Sequence, residues 1–268
     1  MTSSFLLLQN EGFLMQGCFK TSLTALRVWR GEERASGYVA FFNYATGLER
    51  LLKVLMLLDH WHHNRKFFDN KKLMGYGHNL RKLYNDAMNF SQQYGVERKS
   101  LFEPDGIDNK LLEFLSGFAN GSRYFNLDSL TGVEGKQDPL GRWDDLLRDV
   151  YEKDVPKDDR LPDVDELDVL VDHIEGNASV KSSAMGVSLQ TQSEHNQDQG
   201  KMACALLQMR WRLVKLLVPL QSLLIAIREK IHAEDHQITD DASVPYMEEF
   251  LDFVCGDKNV ILESEDWP

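Results

Sequence analysis

His60, His62 and His63 crowd around Asp59 in the run DHWHHN, and Asp59 and His63 stand four residues apart, on one side of a helix. Imidazole and carboxylate are metal-ligand types, but a metal site also needs a third ligand and a supporting shell. His78, in LMGYGHNLRKLYNDA, is the residue that would supply the third. A polar helix end accounts for the same pattern, because histidines suit the negative end of the helix dipole. On that account neither a metal nor a cofactor is expected. A second pair, His232 and His236 in HAEDH, also has helical spacing. Zinc peptidases place glutamate directly after the first histidine or directly before the second. Ala233 and Asp235 hold those positions, with Glu234 between them, so peptidase chemistry is not expected. Arg228 lies four residues before His232 and shares its helix face. An arginine beside a histidine can cleave a phosphodiester without metal, the imidazole moving a proton and the guanidinium stabilising the scissile phosphate.

Two further clusters carry binding chemistry. In GSRYFNLD, Arg123 and Tyr124 follow a helix end. Arginine beside an aromatic ring can grip a phosphate or carboxylate; equally, it can tie a loop to a buried acid or a helix C-terminus. Arg210 and Arg212 flank Trp211, with Lys215 one turn beyond Trp211. That group is either a partner surface or a snorkelling face over the core. No GxxxxGK[ST] or GxGxxG stretch occurs, and no strand precedes GYGHNL, so a phosphate cradle is not expected. Cys18, Cys204 and Cys255 are far apart and form no CxxC pair, as expected of buried thiols in a reducing compartment.

The elements that must position these residues are helical. Apolar residues make up 43% of the 268, enough for a sizeable core. The net charge of -12 opposes a broad nucleic-acid-binding surface unless basic residues are gathered in one place. The apolar run FLLL is too short for a signal peptide. The stretch Leu213 to Ile227 is broken by Lys215, Pro219, Gln221 and Ser222. A cytoplasmic protein with no membrane span is therefore expected.

Between Glu32 and about Phe67, Tyr38, Phe41, Phe42, Ala45, Leu48, Leu52 and Leu55 fall at spacings of three and four, predicting a spine helix of roughly 50 Å. Gly37 and Gly47 would bend it or admit a close neighbour. Leu80, Leu83, Tyr84, Ala87 and Met88 predict a second helix that fades by Gly95, entered through Gly75 and Gly77 and capped by His78 or Asn79. FEPDGIDN predicts a turn, and a third helix follows with Asn109 as cap and Gly121 as stop. A fourth helix starts at Asp138-Pro139.

Residues 152–200 are acidic, then polar and small, predicting an irregular insertion with one short helix near Val164 to Ile174. A long helical pattern runs from Lys201 to about His236, with Pro219 expected to kink or divide it, and a last helix spans Tyr246 to Val254. The tail ESEDWP is acidic and expected to be loose. The predicted architecture is an all-α helical bundle with one long spine helix: residues 1–151 as one half, 152–200 as the insertion, and 201–268 completing the same domain.

GLERLLK on a long helix, GYGHNLRKL opening the next, and RYF further on together resemble HEPN-type proteins over roughly residues 30 to 130. The resemblance implies a helical bundle, frequently dimeric, that is either a metal-independent ribonuclease of toxin, CRISPR or anti-phage systems or a module that binds partners. The family's nucleases set arginine and histidine on one helix with a gap longer than Arg228–His232 and shorter than Arg228–His236. The departure implies a protein-contact role, through a protein partner or a homodimer, in a bacterial-type defence or stress-response assembly. Its alternative is an endoribonuclease acting on RNA through Arg228 and His232. His78 moves to an architectural role, with Arg123 as its expected neighbour.

Overall fold

The computed structural model describes residues 3–29, 33–96, 106–133, 135, 137–176, 181–182, 188–189, 191–237 and 242–263. The spine is α2 (Arg34–Asn64), and α1 (Ser3–Val28) packs along it as an antiparallel hairpin. Glu11 pairs with Arg50, and Trp29 at the other end lies against Gly37. Gly37 and Gly47 do admit close neighbours. A Cβ at Gly37 would lie 2.6 Å from the Trp29 ring, and one at Gly47 would lie 3.1 Å from Cys18 and Phe19. α1 is an element the sequence reading omitted. Leu8, Met15, Phe19, Leu23 and Leu26 are its buried stripe, but the first half of its outer face carries Leu6, Leu7, Phe13 and Leu14, which blurs the contrast that marks an amphipathic helix.

After α2 come α3 (Asn70–Gly75), α4 (Leu80–Phe90) with a 3-10 turn at Ser91–Tyr94, and α5 (Ile107–Ala119). α5 begins two residues before the expected Asn109 cap: Gly106 occupies the N-cap position, and Asn109 is buried within the first turn. The FEPDG part of the predicted turn lies mostly outside the described residues. A 3-10 turn at Ser122–Tyr124 leads into α6 (Phe125–Leu130), which was not foreseen. α7 (Pro139–Asp154) starts as expected: the Asp138 carboxylate accepts from the Leu140 N–H at 3.0 Å, and proline fills the first helical position.

The insertion is partly ordered by helix. α8 (Glu166–Ile174) matches the short helix expected there, and a two-residue antiparallel pair, Lys181–Ser182 with Ser188–Leu189, is the only strand pairing among the described residues. The long helix α9 (Gln192–Asp235) begins nine residues earlier than Lys201. Its start is a capping box: the Thr191 hydroxyl accepts from Glu194 N–H, and the Glu194 carboxylate accepts from Thr191 N–H at 2.9 Å. The T-x-x-E signal was present inside a polar run that hid it. α9 also continues through Pro219. Buried Tyr44 and Tyr84 hydroxyls donate to the Leu213 and Leu216 carbonyls at 2.6 and 3.1 Å, clasping the helix just before the proline. The expected last helix is instead a 3-10 segment, Met247–Cys255, interrupted at Leu251 (φ -121°, ψ 20°), and α10 (Lys258–Glu263) follows. ESEDWP lies outside the described residues except for Glu263.

One apolar cluster joins residues from Leu8 to Ile261, so the 201–268 segment shares its core with the first half. Its centre is a box of rings: Trp143 lies 4.6 Å from Phe41, 5.3 Å from Phe114 and 6.3 Å from Trp29. No described helix is long and apolar enough to cross a membrane. Cys18 and Cys204 are half-buried as thiols, whereas Cys255, expected to be buried, is exposed because it ends the C-terminal 3-10 segment.

Candidate functional site

Arg228 and His232 occupy one face of α9, as their spacing requires, but that face is covered by the returning chain. Val244-Pro245 brings residues 244–255 back across it. Arg228 donates from Nε and NH2 to Glu248 Oε1 at 3.0 and 2.6 Å, and its guanidinium lies 4.9 Å from the centre of the Tyr246 ring. His232 is buried; its Nε2 meets the Val244 carbonyl oxygen at 2.8 Å, and its ring stands edge-on to Tyr246. Glu248 sets a negative charge against the guanidinium, which opposes a phosphate there. Sequence reasoning missed Glu248 and Tyr246, since nothing local ties a residue to a partner 20 positions away.

The opening of α4 is built differently. Gly77 adopts φ 61°, which allows the reversal. Asn79, not His78, is the cap: its side-chain oxygen accepts from Lys82 N–H at 2.9 Å. His78 instead sets Nδ1 3.0 and 2.9 Å from the two Glu49 oxygens, across α2. Lys53 donates to Glu49 at 2.7 Å. Burial would raise the Glu49 carboxyl, but hydrogen bonds and charge from Lys53 and His78 outweigh it and hold the group below its usual range. Glu49, Lys53 and His78 all belong to the two motifs that carry the family resemblance. His78 thus links α2 to the start of α4 through Glu49, and its side chain remains largely exposed. Arg123 is not its neighbour through any hydrogen bond or ion pair among the described residues: it lies 5.1 Å from the Tyr124 ring, with a buried Nε that has no partner.

The His62 and His63 rings lie 4.9 Å apart beside Tyr94, but their nitrogens take different partners. His63 Nδ1 bonds the Asp59 backbone oxygen at 2.8 Å, while His62 meets Tyr94 at 3.0 Å and Glu234 at 3.1 Å. Tyr94 donates to Asp59, Arg65 pairs with Glu234 and Asp235, and Asp235 accepts from Ser243. This chain of polar contacts ties the ends of α2 and α9 to the turn after α4. Among the described residues no three His, Cys, Asp or Glu side chains converge as metal ligands would.

The basic group on α9 is not an open partner surface. Arg210 is buried and donates to the Leu262 carbonyl at 2.9 Å, which pins α10; burial lowers its basicity. Arg212 forks onto Asp154 and reaches Asp108 at 2.5 Å, and Lys215 reaches Asp108 at 3.1 Å. Trp211 packs partly buried against the core. The partners lie 58 and 104 residues away along the chain, beyond the reach of local spacing.

On α7, Asp144 is pushed up to about 7, chiefly by burial and then by Asp138 and Asp198, with Arg34 opposing. A carboxyl whose pKa rises on folding favours the protonated, acidic side. Between about pH 4 and 7 the unfolded chain has lost this proton while the folded chain keeps it, so stability falls as pH rises through that window. Thermal melting from pH 4 to 8 is expected to show this fall, and Asp144→Asn to remove it. An unchanged profile in that variant would contradict the assignment.

No family model, curated protein or solved structure matches this chain.

Proposed function

We propose that this chain is a HEPN-like helical module that acts through protein contacts, in a bacterial-type defence or stress-response assembly, and that Arg228 and His232 serve its fold rather than a reaction. The carrying observation is the outer face of α1. Every exposed residue of that helix is uncharged, in a chain that is 27% charged. Leu6, Leu7, Phe13 and Leu14 fill its first half, and the small Gly17, Thr21 and Thr24 continue the stripe. At 100° per residue these positions fall within an arc of about 120°. Glu11, Lys20 and Arg27 lie off it. Val39 and Phe42 are also exposed, on the adjoining α2.

The occupant favoured by this face is a second copy. A two-fold, antiparallel pairing of α1 helices would set the bulky half of each against the small-residue half of the other. A helix of 26 residues is about 39 Å long, and one helix width of about 11 Å gives roughly 400 Å² per partner from α1 alone, the size of a weak dimer contact. An uncharged stripe also lets two copies of a -12 chain meet without like charges in contact. The alternative, a metal-independent endoribonuclease using Arg228 and His232, requires Glu248 and the Val244 carbonyl to be displaced from them. Sedimentation at tens of micromolar is expected to show a dimer, and Leu7→Glu with Leu14→Glu a monomer of unchanged helical content. A monomeric wild type, or a double variant that still dimerises, would contradict the second copy as the occupant.

A further inference from the structure

Positive charge is gathered in one place. From Glu49 to Lys82 the chain carries eight Lys and Arg against three Asp and Glu, in a chain whose total is -12. Four of the eight are held in ion pairs: Arg50, Lys53, Arg65 and Arg81. Lys66, Lys71, Lys72 and Lys82 are exposed, and none pairs with a carboxylate among the described residues. The first three lie on the connection between α2 and α4, interleaved with rings in RKFFDNKKLMGYGH.

The rings form a partly buried platform against the core. Phe68 stands 5.3 Å from His60 and 5.8 Å from Tyr76, and the Lys72 ammonium lies 5.1 Å from the centre of the Phe68 ring. Phe67 stacks on Trp61 at 4.7 Å. Burial first, then the charges of Lys72 and Lys66, lower the basicity of His60, with Asp59 opposing. Cations that follow a phosphate backbone beside rings on which bases stack are the recurring equipment for single strands.

We propose that the α2–α4 connection binds a single-stranded nucleic acid, with phosphates on Lys66, Lys71 and Lys72 and a base against Phe68 and Tyr76. A lipid surface fits less well: between residues 65 and 79, Met74 is the only large apolar side chain that is strongly exposed. An acidic protein would use the lysines but leave the rings idle. The site uses neither Arg228 nor His232 and no residue of α1.

The test is fluorescence anisotropy of a labelled single-stranded oligouridine with the full chain across a salt series. Salt-dependent binding by the wild type is expected. Replacing Lys66, Lys71 and Lys72 together with Gln should weaken it roughly a hundredfold near 0.1 M salt and reduce the slope of log K against log salt by about two. Phe68→Leu should weaken binding with little change in slope, which separates stacking from charge. Lys153, Lys157 and Lys230 changed together to Gln should bind as wild type. The proposal is overturned if the wild type shows no salt-dependent binding, or if the Lys66/Lys71/Lys72 variant binds unchanged. It is overturned equally if a duplex of the same length binds as tightly as the single strand. Lysine-dependent binding to phosphatidylserine vesicles, with none to the oligonucleotide, would assign the face to a membrane surface instead.

Discussion

Arg212→Met is expected to cost about 3 to 5 kcal/mol of folding stability, among the largest single losses in this chain. Arg212 is mostly buried and holds two carboxylates from different helices, Asp108 on α5 and Asp154 on α7. Burial lowers its basicity, but the hydrogen bonds it donates to both acids, and their charges, outweigh this and raise it. Removing the guanidinium leaves Asp108, only 8% exposed, with Lys215 as its remaining counterion, and leaves Asp154 without the fork. Methionine restores volume but not charge, so the loss reports uncompensated acids rather than a cavity. Arg50→Met is the control: the Arg50–Glu11 pair is more than a third exposed, and water screening limits its loss to under about 1 kcal/mol. Urea unfolding of both variants measures the contrast, and equal losses would refute it.

The second large effect belongs to the residues whose spacing first suggested catalysis. Arg228→Met should cost about 3 kcal/mol, because Glu248 is buried and its Oε2 already has no hydrogen-bond partner among the described residues. Glu248→Leu alone leaves a partly buried guanidinium without its counterion and should also destabilise. The double variant is expected to recover at least half of the summed loss, since both charges then disappear together. Such a thermodynamic cycle measures attachment of residues 244–255 to α9. Single variants as stable as wild type would mean that the pair does not hold that segment in place.

The extent to which sequence could anticipate this fold follows from the range of the forces involved. α2 and α4 were legible because burial on one side imposes a period of three and four, and α7 through its Asp138-Pro139 start. α1 was not, since the first half of its outer face carries Leu6, Leu7, Phe13 and Leu14. The start of α9 was hidden because a capping box carries the signal in two residues, Thr191 and Glu194, within a polar run. The pairing of His78 with Glu49 was half legible: both motifs were recognised, but the contact spans 29 residues and a helix-to-helix approach. Arg228 and His232 were correctly placed on one face of α9. What covers that face depends on a chain reversal at residues 244–245, and no spacing within α9 encodes it. The same limit applies to Arg210 and Lys215, whose spacing allowed a surface and whose partners lie on other elements.

The most direct test is incubation of the purified full chain with labelled RNA, for the wild type and for His232→Ala. With Arg228 engaged by Glu248 and His232 by the Val244 carbonyl, RNA is expected to remain intact with both proteins. Reproducible cleavage by the wild type that disappears in His232→Ala would contradict the account and assign the pair a catalytic role.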